Sequence, residues 1–62
     1  MKAKCYTVVE NAGYEGENDV RTAFSSAEAA WRWAERYYQG DEIETLHVQV
    51  ARDTQDGRSY EF

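Results

Sequence analysis

Cys5 and His47 are the single thiol and the single imidazole of the chain, so a nucleophile–base pair would have to be built from these two. The strand phases argue against it. If Cys5 points to the helix with Val9, His47 points away with Gln49, and the reverse phase leaves no more than an exposed pair. We expect a buried structural thiol, a surface histidine and no enzymatic activity. One His and one Cys cannot build a structural zinc site, because the remaining ligands would all be carboxylates. Glu15-Gly16-Glu17-Asn18-Asp19 concentrates acids but lacks the Asp-x-Asp spacing of a calcium loop. Gly13-Tyr14-Glu15-Gly16 carries negative charge where a phosphate loop needs amides and Lys. No metal and no cofactor is expected.

The carboxylates remain. Twelve Asp and Glu against seven Lys and Arg give a net charge of -5, which repels phosphate backbones and favours basic partners. Seven acids fall in two segments. Glu10, Glu15, Glu17 and Asp19 come from one loop and its flanks, and Asp41, Glu42 and Glu44 follow a helix. No Lys or Arg lies within residues 10–19 or 40–44, whereas Lys2, Lys4, Arg52 and Arg58 are expected toward the opposite end. Like charges within a Debye length of roughly 8–10 Å repel one another, and a basic partner relieves that repulsion. The plainer reading is that solvated acidic loops serve solubility. We expect the seven acids to bind a protein with a basic surface, with no direct nucleic-acid binding.

Whether the two segments meet depends on the elements between them. Lys4 to Glu10 is rich in β-branched and aromatic residues and reads as a first strand. Asn11 to Asn18 holds two Gly and two Asn and reads as a loop. Asp19 to Phe24 alternates, with Val20, Thr22 and Phe24 on one face and Arg21 and Ala23 on the other. Ser25-Ser26-Ala27-Glu28 fits a capping box with Ser25 as cap. The helix it starts runs to about Tyr38 and stops at Gly40. At 100° per residue, Ala27, Ala30, Trp31, Ala34, Tyr37 and Tyr38 share one face, Glu28, Arg32, Glu35 and Arg36 the other, and Trp33 lies at the border. Ile43 to Arg52 alternates, with Leu46, Val48 and Val50 opposite Thr45, His47, Gln49 and Ala51, and reads as a third strand. Asp56-Gly57 marks a hairpin turn, from which Ser59 to Phe62 returns as a fourth.

The result is ββαββ: an α+β two-layer sandwich with one helix packed on a four-stranded antiparallel sheet, in the order 2-1-3-4. Both acidic segments then lie at one pole. Strand one is ambiguous, since Cys5, Thr7 and Val9 or Tyr6 and Val8 could face the helix. In the preferred phase the open sheet face carries Tyr6, Val8, Arg21, Ala23, His47, Gln49 and Ala51. Tyr6, Arg21, His47 and Gln49 there form the alternative interface, suited to a protein partner or to a homodimer. An aromatic sheet face also suits stacked RNA bases, but the basic surround is missing.

Sixty-two residues fit one domain, 1–62, which buries only about 60% of the surface its unfolded chain exposes. Two Trp, five Tyr and two Phe supply the apolar area that so small a core needs. A single Cys excludes an internal disulfide and fits a reducing cytosol. Met1-Lys2-Ala3-Lys4-Cys5 is not followed by the apolar run of a signal peptide, and no segment reaches membrane-span length. A soluble cytoplasmic protein is expected.

Small size, acidity and ββαββ order make the chain resemble small proteins of bacteriophages and mobile elements, in particular the anti-CRISPR proteins. The resemblance is one of type and covers the whole chain, through the loop NAGYEGEND, the helix SSAEAAWRWAERYY and the segment GDEIETLHVQV. It carries over no functional residues. It implies a stoichiometric inhibitor, acting in the cytoplasm of a bacterial host, that occupies a Lys/Arg-rich surface of a CRISPR effector complex meant for DNA or guide RNA. The alternative is a generic protein-interaction or homodimerisation module of a prophage or bacterial host.

Overall fold

The computed structural model describes residues 5–60. The elements are β1 (Cys5–Glu10), β2 (Asn18–Phe24), α1 (Ala27–Tyr37), α2 (Glu42–Thr45), β3 (Gln49–Thr54) and β4 (Gly57–Tyr60). The strands form one antiparallel sheet in the order β2-β1-β3-β4 with α1 packed on it, the expected α+β fold. Lys2, Lys4 and the expected extension of the fourth strand through Glu61 and Phe62 lie outside the described residues.

The ambiguity of β1 is resolved by burial. Val8 sits in the core with Ala30, Ala34, Tyr38, Val48 and Val50, and Tyr6 packs beside it, so these two face α1. Cys5, Thr7 and Val9 take the other face, opposite Asp53, Ala51 and Gln49 of β3. The preferred phase, with Tyr6 and Val8 outward, is thereby reversed. Ala30 and Ala34 are fully buried, and their small side chains bring α1 close to the sheet. Trp31 and Trp33, both half-buried, fill the space beside them. Tyr37 departs from its expected place: as the last residue of α1 it is 56% exposed, and its ring lies on Trp33.

The helix cap is Ser26 rather than Ser25. Ser26 Oγ accepts from the Ala29 amide at 3.1 Å. Glu28, one position too early to reach back in a capping box, instead receives Arg32 at 3.1 Å one turn on.

β2 does not alternate as expected. Tyr6 pairs with Phe24 and Val8 with Arg21, so Thr7 alone spans Thr22 and Ala23; Val9 then pairs with Asp19, leaving Val20 without an opposite number. These two irregularities behave as bulges, and Ala23 takes φ 74 at the first. Arg21 is turned to the helix side, where its guanidinium lies 5.6 Å from the Trp33 ring centre and 5.8 Å from that of Phe24. Thr22 is turned to the opposite face and meets Thr7 Oγ1 at 2.9 Å.

The third strand begins at Gln49, not Ile43. Residues 42–45 form a helical turn, with Thr45 and Leu46 amides donating to the Asp41 and Glu42 carbonyls at 2.9 and 2.8 Å. Ile43 and Leu46 are three apart, so a helical turn sends both to the core, whereas a strand would separate them. His47 at φ 53 reverses the chain into β3.

Among the described residues no helix covers the other sheet face, yet Thr7, Val9 and Ala51 there are fully buried. The sheet's own edges close over them. Arg58 of β4 reaches Asp53 at 2.6 Å, Asp19 at 2.9 Å and Glu17 at 2.8 Å. Tyr60 Oη donates to Glu17 at 2.5 Å. β2 and β4 are three strand spacings apart, roughly 14 Å in a flat sheet, so one arginine joins them only because the sheet coils.

Candidate functional site: an acidic end and an aromatic groove

The first loop turns on left-handed residues Asn11 (φ 56) and Gly16 (φ 90), with the Tyr14 amide donating to the Asn11 carbonyl at 2.9 Å. It is tied to the segment between α1 and β3 by two backbone hydrogen bonds, Asn11 N to Leu46 O at 2.9 Å and Ala12 N to His47 O at 3.2 Å. The Tyr14 ring packs on His47 with centres 4.6 Å apart. The two acidic segments are therefore neighbours.

Their carboxylates fall into four environments. Glu10, half-buried, accepts from Tyr38 Oη at 2.6 Å, and burial together with this bond raises the Tyr38 pKa. Glu42 accepts from the Gln39 amide at 2.9 Å and remains exposed. Glu15, Asp41 and Glu44 are exposed and make no side-chain hydrogen bond or ion pair among the described residues. Glu17 and Asp19 belong to the Arg58 clasp. The Tyr60 hydroxyl, the Gly13 amide and Arg58 hold Glu17 below the usual carboxylate range. Arg58 was expected at the far end with the other cations; the coiling of the sheet brings it to these two acids instead. Arg52, on β3 opposite Tyr6, does lie away from Glu10 along β1.

The alternative interface is not assembled. Tyr6 packs against the core under α1, Arg21 lies on Phe24 and Trp33, His47 sits in the turn against Tyr14, and Gln49 pairs with Val9 on the opposite face. Gln49 keeps its expected place on the face away from α1, but the reversed phase of β1 takes Tyr6 from it, a β2 bulge turns Arg21 to the helix side and the left-handed turn holds His47 outside β3, so these four share no surface. Cys5 and His47 are not brought together either: Cys5 starts β1 opposite Asp53, while His47 adjoins the loop beyond its other end, about 17 Å of strand away. Among the described residues no three His, Cys, Asp or Glu side chains are grouped to hold a metal, and no helix is long and apolar enough to cross a membrane.

The outer flank of α1 carries a second feature that periodicity did not single out. An open groove of about 640 Å³ is lined by Ser26, Glu28, Ala29, Arg32, Trp33, Arg36 and Tyr37. Trp33 and Tyr37, four apart, stack at 4.6 Å and 15°. A second depression of about 520 Å³ is lined by Glu10, Tyr37, Tyr38, Gln39, Glu42 and Leu46. Tyr37 belongs to both. The i, i+4 repetition of Trp33/Tyr37 and Arg32/Arg36 was the available signal. No protein-family model matches the chain, and no curated protein or solved structure matches it.

Proposed function

We propose that this chain is a non-enzymatic binding protein whose acidic end docks on a basic surface of another protein. The observation that supports this most directly is the joining of two loops by the Asn11–Leu46 and Ala12–His47 hydrogen bonds. It gathers Glu15, Asp41, Glu42 and Glu44, exposed and without a cationic partner among the described residues, on one end. Holding like charges together opposes folding, and a partner rich in Lys and Arg removes that repulsion on binding. The resemblance to anti-CRISPR proteins makes the nucleic-acid-binding surface of a CRISPR effector complex the first target to test, in the cytoplasm of a bacterial host. There, clustered carboxylates compete with nucleic acid by bulk and by charge.

The test replaces Glu15, Asp41, Glu42 and Glu44 with Lys and measures association with purified effector complexes over a salt series. Glu17 and Asp19 are left in place because Arg58 needs them for the fold. Binding by the unmodified protein weakens with salt, and the variant binds at least tenfold more weakly while keeping its circular dichroism. Unchanged affinity and salt dependence would assign the charge to solubility alone. Self-association without such a target would favour the second reading, an interaction or homodimerisation module.

A further inference from the structure

We infer that the chain also pairs with a second copy of itself, through the surface centred on Tyr37. This does not rest on the docking of the acidic end to a foreign protein, though both use Glu42. Tyr37 is 56% exposed and is wedged between two other rings, stacked on Trp33 at 4.6 Å and edge-on to Tyr38 at 4.9 Å. An exposed aromatic held this firmly loses little side-chain freedom when covered. It also stands where two depressions of opposite charge meet. On one side lie Arg36 and Arg32, the latter paired with Glu28 of the same depression at 3.1 Å, and Arg21 against the Trp33 ring, so cations outnumber acids there. On the other lie Glu10 and Glu42.

That layout selects the occupant. A purely acidic partner satisfies Arg36 but is repelled by Glu10 and Glu42, and a purely basic one has the opposite difficulty. A partner with the same two-sided charge satisfies both at once, and a second copy carries it by construction. A two-fold interface places each patch on itself, so the cationic flank of one copy meets the anionic flank of the other, with the Tyr37 rings near the axis. Arg36 then faces Glu42 of the other copy twice. Tyr, Trp and Arg are also the side chains that dominate binding energy at protein interfaces.

Sedimentation of the chain alone, from low micromolar to millimolar concentration, reads the inference directly. A reversible monomer–dimer equilibrium is expected. Arg36→Glu and Glu42→Arg should each weaken it about tenfold or more, because each places like charges opposite one another twice. Mixing these two variants should restore dimers to within about threefold of the original affinity, since the mixed pair regains opposite charges at both contacts. Tyr37→Ala should leave a monomer. Helix content by circular dichroism checks folding; if Glu42→Arg disturbs the turn that Gln39 caps, Glu42→Gln keeps the acceptor and should still weaken the dimer. A chain that stays monomeric throughout, whether or not another protein covers Tyr37, overturns the inference. So does a dimer that ignores both reversals, or a mixture no tighter than its components. Because no foreign partner is present, failure here is separate from failure of the acidic-end docking.

Discussion

Arg58 and Asp19 belong to strands at opposite edges of the sheet, yet they meet through two hydrogen bonds, Nη1 to Oδ1 at 2.9 Å and Nη2 to Oδ2 at 3.1 Å. The same guanidinium donates through Nε to Asp53 at 2.6 Å and through Nη1 to Glu17 at 2.8 Å. It thus closes the face without a helix over Thr7, Val9 and Ala51. Arg58→Ala should cost about 1–2 kcal/mol, a figure reduced for the exposure of Asp19. Arg58→Lys should recover only part of it, because an ammonium cannot hold three carboxylates in a planar fork. Urea unfolding of the three proteins checks both.

Acids close in sequence should respond differently to the same change. Glu15→Lys alters an exposed side chain with no partner among the described residues and should leave the urea midpoint almost unmoved. Glu17→Lys places a second cation beside Arg58, removes the acceptor of Tyr60 Oη and should clearly lower the urea midpoint. Equal effects would contradict the separation of docking acids from clasp acids.

Stability should fall at both ends of the pH range. The Tyr60 hydroxyl chiefly, and then the Gly13 amide, lower the Glu17 pKa; Arg58 chiefly, and then Thr7, lower that of Asp53 against the effect of burial. A carboxyl whose pKa is lowered on folding contributes in full above its unfolded value, about 4, and loses that contribution as pH falls through the folded value. Tyr60 is raised by its bond to Glu17, and Tyr38 by burial and its bond to Glu10. Their contribution is present below the unfolded phenol value of about 10 and is lost as pH rises beyond it. Urea midpoints should be flat between about pH 5 and pH 9 and decline on both sides. Arg58→Ala should shallow the acid limb, and phenolate absorbance should show two tyrosines ionising late.

Two adjacent serines offer a local test. Ser26→Ala removes the acceptor of the Ala29 amide and should cost about 1 kcal/mol, while Ser25→Ala should cost almost nothing. Thermal unfolding of the pair distinguishes them.

Tight packing under α1 predicts the last effect. Ala34 is fully buried, so Ala34→Leu adds volume where helix and sheet already touch and should destabilise by about 1–3 kcal/mol. A Leu tolerated without loss would mean that the alanine contact is looser than the burial of Ala30 and Ala34 implies. Calorimetry reads the difference.

The sequence by itself determined the α+β class, the ββαββ succession along the chain and the alanine face of α1. These follow from patterns repeated within each segment: β-branched residues in 4–10, the 3.6-residue period of 27–38, the Asp56-Gly57 turn. It also placed two acidic segments at one end, since chain direction alone returns residue 41 to the loop that residue 10 enters. What it could not decide were relations set by one residue against another strand. A bulge at Ala23 adds a residue on one side of a pair, which no single-strand alternation records, and it moved Arg21 across the sheet. The spacing of Ile43 and Leu46 fits a helical turn, but the β-favouring run after it masked that signal until their burial in the core decided between the two. Arg58 stands 39 residues from Asp19, and their meeting depends on the coiling of four strands together. Coiling is a property of the assembled sheet, arising from the twist each strand imposes on its neighbours. For that reason the division of the acids into those that bind Arg58 and those that face solvent belonged to the tertiary structure alone.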